Sequence, residues 1–332
     1  MRLPTLALAV FFYFFTGMGI TAGYHRLFSH KAYRAHWTVR LALALAGAGA
    51  FQGSAKWWCR NHRAHHRFTD TDKDPYNVRK GFWWAHLGWM LSQQDYSRSG
   101  FADITDIKND RILAWQHKYY GPIGLFVSVI LPTAIAALWG DVWGGYFYAS
   151  MARIVFVHHA TFFVNSLAHY WGDQPFSRIS SSCDSFITAL LTLGEGYHNY
   201  HHVFPTDYRN GIQWWHYDPT KWLISGLAKA GLVTGLRAVS DEEIERARAY
   251  VSTGQSLIPA VDSSLPTMTL DAFRDRVAQG DMLIVLEGQV YDVADFSKRH
   301  PGGYKVCVSR SPPNVVVRVI LIWVVWPVVR FR

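Results

Sequence analysis

Nine of the sixteen histidines fall into four short groups whose spacing suits metal binding. The groups are His25 and His30 in "HRLFSH", His62, His65 and His66 in "HRAHH", His169 in "NSLAH", and His198, His201 and His202 in "HNYHH". Both H-x-x-H-H groups place imidazoles at i, i+3 and i+4, which is one face of a helix. Catalytic zinc normally keeps about three protein ligands and an open position, so nine imidazoles predict two metal ions. Imidazole suits iron, copper, nickel and zinc alike, so the ligands alone do not choose among them.

The remaining histidines are scattered along the chain. His36, His86, His117 and His216 belong to no spaced group, and we interpret each as an ordinary surface or capping residue. The predicted metal ligands are therefore confined to the four groups.

Composition points to a membrane. Half of the 332 residues are hydrophobic, and 15 Trp, 17 Tyr and 20 Phe are spread through the chain. The formal charge of +9 is interleaved with aromatic and apolar runs, which favours a lipid surface or a phosphorylated substrate over nucleic acid. Cys59, Cys183 and Cys307 form no C-x-x-C pair, which indicates neither a disulfide framework nor a cysteine-based zinc site and is typical of a reducing compartment.

Three segments approach the roughly 20 apolar residues that a membrane span requires. They cover residues 3–24, 121–140 and 145–168. The first has no small-residue cleavage pattern, so we interpret it as a membrane helix and not as a signal peptide. A shorter stretch over 37–55 is rich in Gly and Ala, and spanning and interfacial interpretations compete for it.

The topology follows if all four histidine groups form one site. Were 37–55 to cross the membrane, the second group would emerge on the opposite face from the first, so we expect this stretch to lie in the interface. Residues 121–168 then form a hairpin that returns the chain to the same side. Residues 56–118 carry eleven Lys and Arg, whereas "GDVWGG" carries none, which predicts histidines on the cytoplasmic side.

A redox metal pair beside an apolar slot suits oxygen chemistry on a lipid chain, because unactivated C–H bonds need such a metal. Two alternative functions fit the same residues. One is a membrane di-iron hydroxylase acting on fatty acyl chains or alkanes, which would yield an alcohol. The other is a membrane zinc enzyme or metal-transport protein, which metal content and oxygen dependence would distinguish.

Four motifs carry a family resemblance. "GITAGYHRLFSH", "RNHRAHHRFTDTDKDP", "NSLAHYWG" and "GEGYHNYHHVFPTDYR" resemble the histidine boxes of membrane acyl-CoA Δ9 desaturases, the stearoyl-CoA desaturase family, and especially its fungal members. The resemblance implies an all-α polytopic membrane protein with a cytoplasmic, histidine-rich di-iron cap. It implies that the nine histidines hold two iron ions, with Asn165 reaching one through water, and leaves the division between the irons open. It also implies that Arg60, Arg79 and Lys80 contact the phosphates of coenzyme A, against the alternative of a charge cluster facing lipid headgroups.

The same resemblance implies the reaction and its setting. The substrate is a saturated long-chain acyl-CoA, which O₂ and two electrons convert to a cis-unsaturated product. The partners are cytochrome b5, its NADH-dependent reductase and membrane lipid, and no nucleic acid is expected. The location implied is the endoplasmic reticulum membrane, with several passes and the active site facing the cytosol.

Three acidic residues stand close to the histidine groups. Asp70, Asp74 and Glu195 are candidates to accept the second N–H of ligand imidazoles, which would fix ring orientation and basicity. The competing interpretation is that they are solvated loop acids or helix caps.

The C-terminal part has a different character. We divide the chain into a desaturase domain over 1–235, a helix and linker over 236–266, a partial α+β cytochrome b5-like segment over 267–306 and a divergent tail over 307–332. "LIVLEGQVYDV" predicts two short strands, and His300 of "HPGG" resembles one axial haem ligand. No histidine follows His300, so we expect haem to be weakly held. We expect a chain truncated at both ends, and a C-terminal membrane anchor is the alternative for the tail.

Overall fold

The computed structural model describes residues 2–92, 100–253, 268–286 and 289–295, and these are mostly helical. Among these described residues, three helices are long and apolar enough to cross a membrane: the first span Leu3–Ser29, the second span Tyr120–Ala137 and the third span Val142–His169. They coincide with the three predicted segments, although the first helix continues five residues beyond the predicted end at 24. The second and third spans are joined by a tight turn and form the predicted hairpin.

Each span mixes α-helical and wider π-helical turns. The first span is α-helical over Leu3–Met18 and π-helical over Gly19–Ser29. The second contains π turns at Phe126–Ile130 and the third at Gly145–Ala152, before a regular α-helix over Arg153–Asn165. The π turns were not predicted, because hydrophobic periodicity does not distinguish a local widening of the helix.

Helix α1, Trp37–Gly49, is apolar but shorter than a span. It packs closely on the first span, because a Cβ atom added to Gly19 would lie 2.1 Å from the backbone nitrogen of Gly47. The sequence interpretation extended this helix to 55, but a turn ends it, with positive φ at Phe51 and Gly53.

The C-terminal end of α1 is held by a buried arginine of the third span. Arg153 donates to the carbonyl oxygen of Gly49 at 2.7 Å and to that of Ser128, in the second span, at 2.8 Å. Carbonyl groups at a helix end have no partner within the helix and need one when water is absent. Arg153 therefore ties α1 to the second and third spans.

Helix α2, Ala55–Phe68, follows directly and carries the second histidine group. Ser54 caps it by accepting from the backbone N–H of Trp57. Helix α3, Arg111–Lys118, is capped by Asp110 and packs against α2. Short helices at Val78–Lys80, Trp84–Gly88, Trp89–Leu91 and Thr105–Lys108 lie between them in sequence.

The residues after the third span complete the cap on the histidine side of the spans. They form α4 (Phe186–Leu191), α5 (His198–Val203), α6 (Pro219–Lys229) and α7 (Asp241–Thr253). Strands β1 (Arg34–Ala35) and β2 (Val233–Thr234) pair antiparallel and fasten the end of α6 to the segment after the first span. Helix α7 buries Ile244 and Ala247 against aromatic side chains beside α5.

The C-terminal segment has its own small elements. Helix α8, Leu270–Ala278, precedes the two predicted short strands, β3 (Leu283–Leu286) and β4 (Gln289–Asp292), which pair antiparallel. His300 and the tail over 307–332 lie outside the described residues.

Candidate metal centre

The π-helical end of the first span explains how His25 and His30 can face the same point. Residues five apart on an α-helix point about 140° away from each other, at 3.6 residues per turn. A π-helix instead closes its hydrogen bond between residues five apart. The backbone N–H of His30 donates to the carbonyl of His25 at 3.1 Å, and the two imidazole centroids lie 4.9 Å apart. The H-x-x-x-x-H spacing therefore fits this local geometry.

All nine histidines of the four sequence groups come together in two clusters. Within each cluster the candidate ligand atoms lie within 4.8 Å of one another. The five-histidine cluster contains His25, His30, His62, His66 and His201, and the four-histidine cluster contains His65, His169, His198 and His202. The division that the sequence left open is thus visible in the geometry.

Helices α2 and α5 each contribute to both clusters. On α2, His62 and His66 join the five-histidine cluster, whereas His65 points to the other. On α5 the i, i+4 pair His198 and His202 joins the four-histidine cluster, and His201 crosses over. The two H-x-x-H-H groups therefore face each other across both clusters.

Two carboxylates fix imidazole orientation. The Nδ1 atom of His25 lies 2.7 Å from Glu195, and that of His65 lies 2.9 Å from Asp74. A neutral imidazole that donates from Nδ1 presents a lone pair at Nε2. This is the arrangement that metal-binding histidines adopt, and it matches the roles considered for Asp74 and Glu195.

A third imidazole is oriented through a serine. His169 Nδ1 lies 2.8 Å from Ser181 Oγ, and that hydroxyl donates to Asp70 Oδ1 at 2.5 Å. Because Ser181 donates to Asp70, it accepts from His169, whose Nε2 then carries a lone pair. Asp70 thus acts on an imidazole through Ser181 and not by direct contact. The sequence gave no signal for Ser181, which lies in a run of serines twelve residues beyond His169.

The Nε2 atoms face one another in a way that fits metal ions. His25 and His201 Nε2 atoms are 2.9 Å apart, and those of His169 and His198 are 3.1 Å apart. Further short Nε2 pairs extend through both clusters. Converging lone pairs repel one another unless a cation lies between them. The donor set therefore suits one metal ion in each cluster.

Burial favours the neutral form of six of these imidazoles. It lowers the pKa of His30, His62, His66, His198, His201 and His202 well below the ordinary value, and neighbouring imidazoles lower the pKa further. Neutral imidazole is the form that binds metal.

A buried arginine supports the five-histidine cluster. Arg26 donates to Glu195 at 2.8 Å and to Asp218, the N-cap of α6, at 2.9 Å. Burial alone would raise the pKa of Glu195, but Arg26 and His25 lower it to about 2. Sequence reasoning missed Arg26 and Asp218, although a charged residue directly after His25 in an apolar helix was an available signal.

An apolar cavity leads to the clusters from between the spans. Ile20 of the first span and Val157 and Ala160 of the third span line it, and His25, His62, His65 and His198 lie at its polar part. Asn165, the predicted water-mediated ligand, lines the same cavity. The cavity thus joins an apolar slot to the candidate metal ligands.

The predicted substrate-binding cations lie on the cap. Arg60 is half-buried on α2, and Arg79 and Lys80 are exposed in the short helix Val78–Lys80. The Lys80 ammonium lies 5.2 Å from the ring centroid of Trp84. These positions leave Arg79 and Lys80 accessible to an anionic ligand.

One scattered histidine is not a surface residue. His86 is buried, with Nδ1 at 2.9 Å from Ser166 Oγ and Nε2 at 3.0 Å from His159 Nδ1. The surface or capping interpretation was wrong for His86, because the sequence did not show that Trp84–Gly88 packs against the third span. His36 does cap a helix, α1.

Comparison with known proteins agrees with this geometry. The fatty acid desaturase family model matches residues 2–234. The chain belongs to the fatty acid desaturase family. Together with the three spans, this membership makes it a membrane protein. A second family, the cytochrome b5-like heme/steroid binding domain, matches residues 269–309.

The relatives include fungal and mammalian enzymes. A "Probable acyl-CoA desaturase" of Schizosaccharomyces pombe is 47% identical over 91% of this chain and 64% of its own length. "Acyl-CoA desaturase 1" of Saccharomyces cerevisiae is 41% identical over 91% of this chain and 61% of its own length. Human "Stearoyl-CoA desaturase" is 38% identical over 71% of this chain and 67% of its own length. The chain therefore spans somewhat less than two thirds of the two fungal relatives.

Proposed function

We propose that the chain is an acyl-CoA Δ9 desaturase that introduces a cis double bond into a saturated long-chain acyl-CoA. The observation that carries this proposal is the apolar cavity between the first and third spans, which ends at two clusters of buried and half-buried histidines. An unbranched acyl chain fits an apolar slot, and the names of the relatives favour desaturation over the hydroxylase alternative.

The residues of the chain would act in three ways. The nine imidazoles would hold two iron ions, one in each cluster, while Glu195, Asp74 and Ser181 keep three of the rings in the ligating tautomer. The four-histidine cluster has one ligand fewer, and Asn165, four residues before His169, is the candidate to complete it through water. The apolar cavity wall would hold the acyl chain and exclude water from the reacting carbons.

The overall chemistry balances with oxygen as oxidant. One O₂, two electrons and two protons would remove two hydrogens from adjacent carbons and give two waters. Bound iron would supply oxygen activation. Arg60, Arg79 and Lys80 would bind the coenzyme A phosphates. The distance between this phosphate-binding site and the histidines would then select the carbons that react.

The electrons would come from cytochrome b5 and its NADH-dependent reductase. The match of residues 269–309 to the cytochrome b5-like family supports a b5-type electron donor and implies haem in that domain. His300 would be one axial ligand. Our expectation of weak haem binding stays a prediction, and the haem absorption spectrum of the purified chain tests it. We further propose the endoplasmic reticulum membrane as its location, with the histidines facing the cytosol.

Expression in fungal cells that lack their own acyl-CoA desaturase tests the function. We expect gas chromatography of the cell lipids to show cis-Δ9 monounsaturated acyl chains with this chain and none with His62→Ala or His198→Ala. Each of these histidines belongs to one cluster, so each variant removes a ligand from a different metal. His36→Ala is the matched control, because His36 is exposed and outside both clusters. Hydroxylated products, or full desaturation by both variants, would contradict the proposal.

A further inference from the structure

The surroundings of the first span change along its length. Its first half carries exposed side chains such as Leu3, Phe11 and Phe14, as expected for a helix facing lipid. From Thr16 to Ser29 every residue is buried apart from the half-buried Met18. Other parts of the protein therefore surround the half of this span that leads to the histidines.

The covered half begins inside the hydrocarbon layer. Arg2, at the start of the span, donates its backbone N–H to Asp141 in the turn between the second and third spans. A hydrocarbon core of about 30 Å corresponds to about 20 residues of helix. Counted from Leu3, it extends to around Ala22. Residues from Thr16 to Ala22 thus lie in the leaflet on the histidine side, and so must the elements that touch them.

Two parts of the cap touch the first span at this depth. Leu193, just after α4, lies so close to Gly17 that a Cβ atom there would meet its Cδ1 atom at 2.4 Å. Thr220, at the start of α6, lies 2.6 Å from Thr21, measured between the hydroxyl oxygens. The end of α4 and the start of α6 are therefore at hydrocarbon depth, although neither helix is long enough to cross the membrane.

The outward faces of these helices are apolar and unusually exposed. On α4, Phe186, Ile187, Leu190 and Leu191 are all exposed, four of its six residues. On α6 the exposed residue at the deep end is Trp222, whose indole N–H donates to the carbonyl of Trp214, itself 78% exposed. At the opposite end of α6, toward β2, the exposed residue is Lys229. The order is therefore apolar residues within the hydrocarbon layer, tryptophan near its boundary and lysine farthest outside it. Membrane proteins show this order at the membrane interface.

We propose that α4, α6 and the exposed pair Trp214 and Trp215 form a collar inserted into the leaflet on the histidine side of the bilayer. Lipid acyl chains are the occupant of this surface, because the collar continues the lipid-facing surface of the spans at the same depth. Helix α4 is then also the wall between lipid and the apolar cavity, since Thr192 and Leu193, which follow it, line that cavity. Contact between the collar and lipid does not depend on the proposed activity.

Spin labelling of the full chain in phosphatidylcholine nanodiscs tests the collar. In a Cys307→Ser background, whose Cys59 and Cys183 are buried, a nitroxide is attached to Leu190→Cys or Trp222→Cys. Collision rates with O₂, which concentrates in lipid, are compared with those of a water-soluble nickel chelate. Phe156→Cys on the third span is the lipid reference, and Arg246→Cys on α7 is the water reference; both wild-type residues are exposed.

We expect Leu190→Cys and Trp222→Cys to resemble Phe156→Cys, with collisions dominated by O₂. A pattern like that of Arg246→Cys would show water at the surface and overturn the collar. Protection from both reagents would show a protein cover and overturn it as well, and spin–spin broadening in that case would identify a second copy of the chain. Because all four labelled residues are exposed, the labels are not expected to disturb folding.

Discussion

His169 owes its orientation to Ser181, a residue that belongs to no histidine motif. The loop that carries Ser181 is itself fixed by Asn199 of the fourth histidine group, whose side chain bonds the backbone of Phe176, Ser177 and Ser182. The asparagine within "HNYHH" is thus explained by the loop it holds. At the scale of single residues, the boxes supply the imidazoles and the loop supplies their orientation.

Ser181→Ala should weaken metal binding at the four-histidine cluster. The substitution removes the acceptor for His169 Nδ1–H, and the loss of such an outer partner typically costs about 10–100-fold in metal affinity. Iron per chain, measured by mass spectrometry after a chelator challenge, checks this. Ser180→Ala is the control, because Ser180 contacts Ser182 and no imidazole. Equal iron retention in the two variants would argue against the serine relay.

At the scale of elements, close approach of the first span and α1 sets the position of the first histidine pair. The contact runs through glycines: Gly19 faces Gly47, and Gly23 faces Leu43, where an added Cβ would lie 3.0 Å away. Any side chain at Gly19 would push the π-helical end of the span, and with it His25 and His30, away from the clusters.

Gly19→Ala should destabilise the protein by about 1–3 kcal/mol, because its Cβ atom would meet the backbone of α1. Gly226→Ala is the matched control on α6, where nothing lies within 4 Å of the added atom. It should be neutral or stabilising by up to about 1 kcal/mol, since alanine favours helix. Thermal unfolding in detergent compares the two. A stable Gly19→Ala protein would show that the helices separate at little cost.

A second contact between elements joins α2 to the short helix Thr105–Lys108. Arg63 donates to both carboxylate oxygens of Asp106, at 2.7 and 2.8 Å, and Lys31 lies 3.0 Å from the same carboxylate. Burial alone would raise the pKa of Asp106, but Arg63 and Lys31 lower it from 3.8 to about 2. The folded state therefore favours the charged carboxylate.

Stability should consequently fall as the pH decreases from about 4 to about 2. Because the pKa of Asp106 is lower in the folded state than in the unfolded state, its charge stabilises the fold at pH values above the unfolded pKa. This contribution is lost as Asp106 takes up a proton. Asp106→Asn should lower the unfolding temperature at neutral pH and flatten its change between pH 4 and 2. The exposed Asp72→Asn should do neither. An unchanged pH profile for Asp106→Asn would rule out this contribution.

At the scale of the whole molecule, the two clusters fix the topology. Their ligands come from the ends of the first and third spans and from α2 and α5, so these four elements must meet on one side of the membrane. The turn between the second and third spans lies at the far end, beside Arg2.

Epitope tags inserted after Lys73 and after Lys229 should therefore be accessible from the same side, which we expect to be cytosolic. A tag after Trp143 should be accessible only from the opposite side. Antibody labelling before and after selective permeabilisation of the plasma membrane provides the measurement. If the first two tags were accessible from opposite sides, the histidine groups could not form one shared site.

The sequence alone predicted the spans and six of the candidate ligands, because apolar length and i, i+3, i+4 spacing are local properties of the chain, and the resemblance of the motifs supplied His25, His30 and His169. It could not divide the ligands between two clusters, since that depends on how α2 and α5 cross. His65 and His201 each belong to a different cluster from the other histidines of their own helix. Nor could it connect Ser181 to Asp70 or Arg26 to Asp218, which lie 111 and 192 residues apart in the sequence. The π turn at His25 and the burial of His86 likewise depend on packing against other helices, which only the tertiary structure decides.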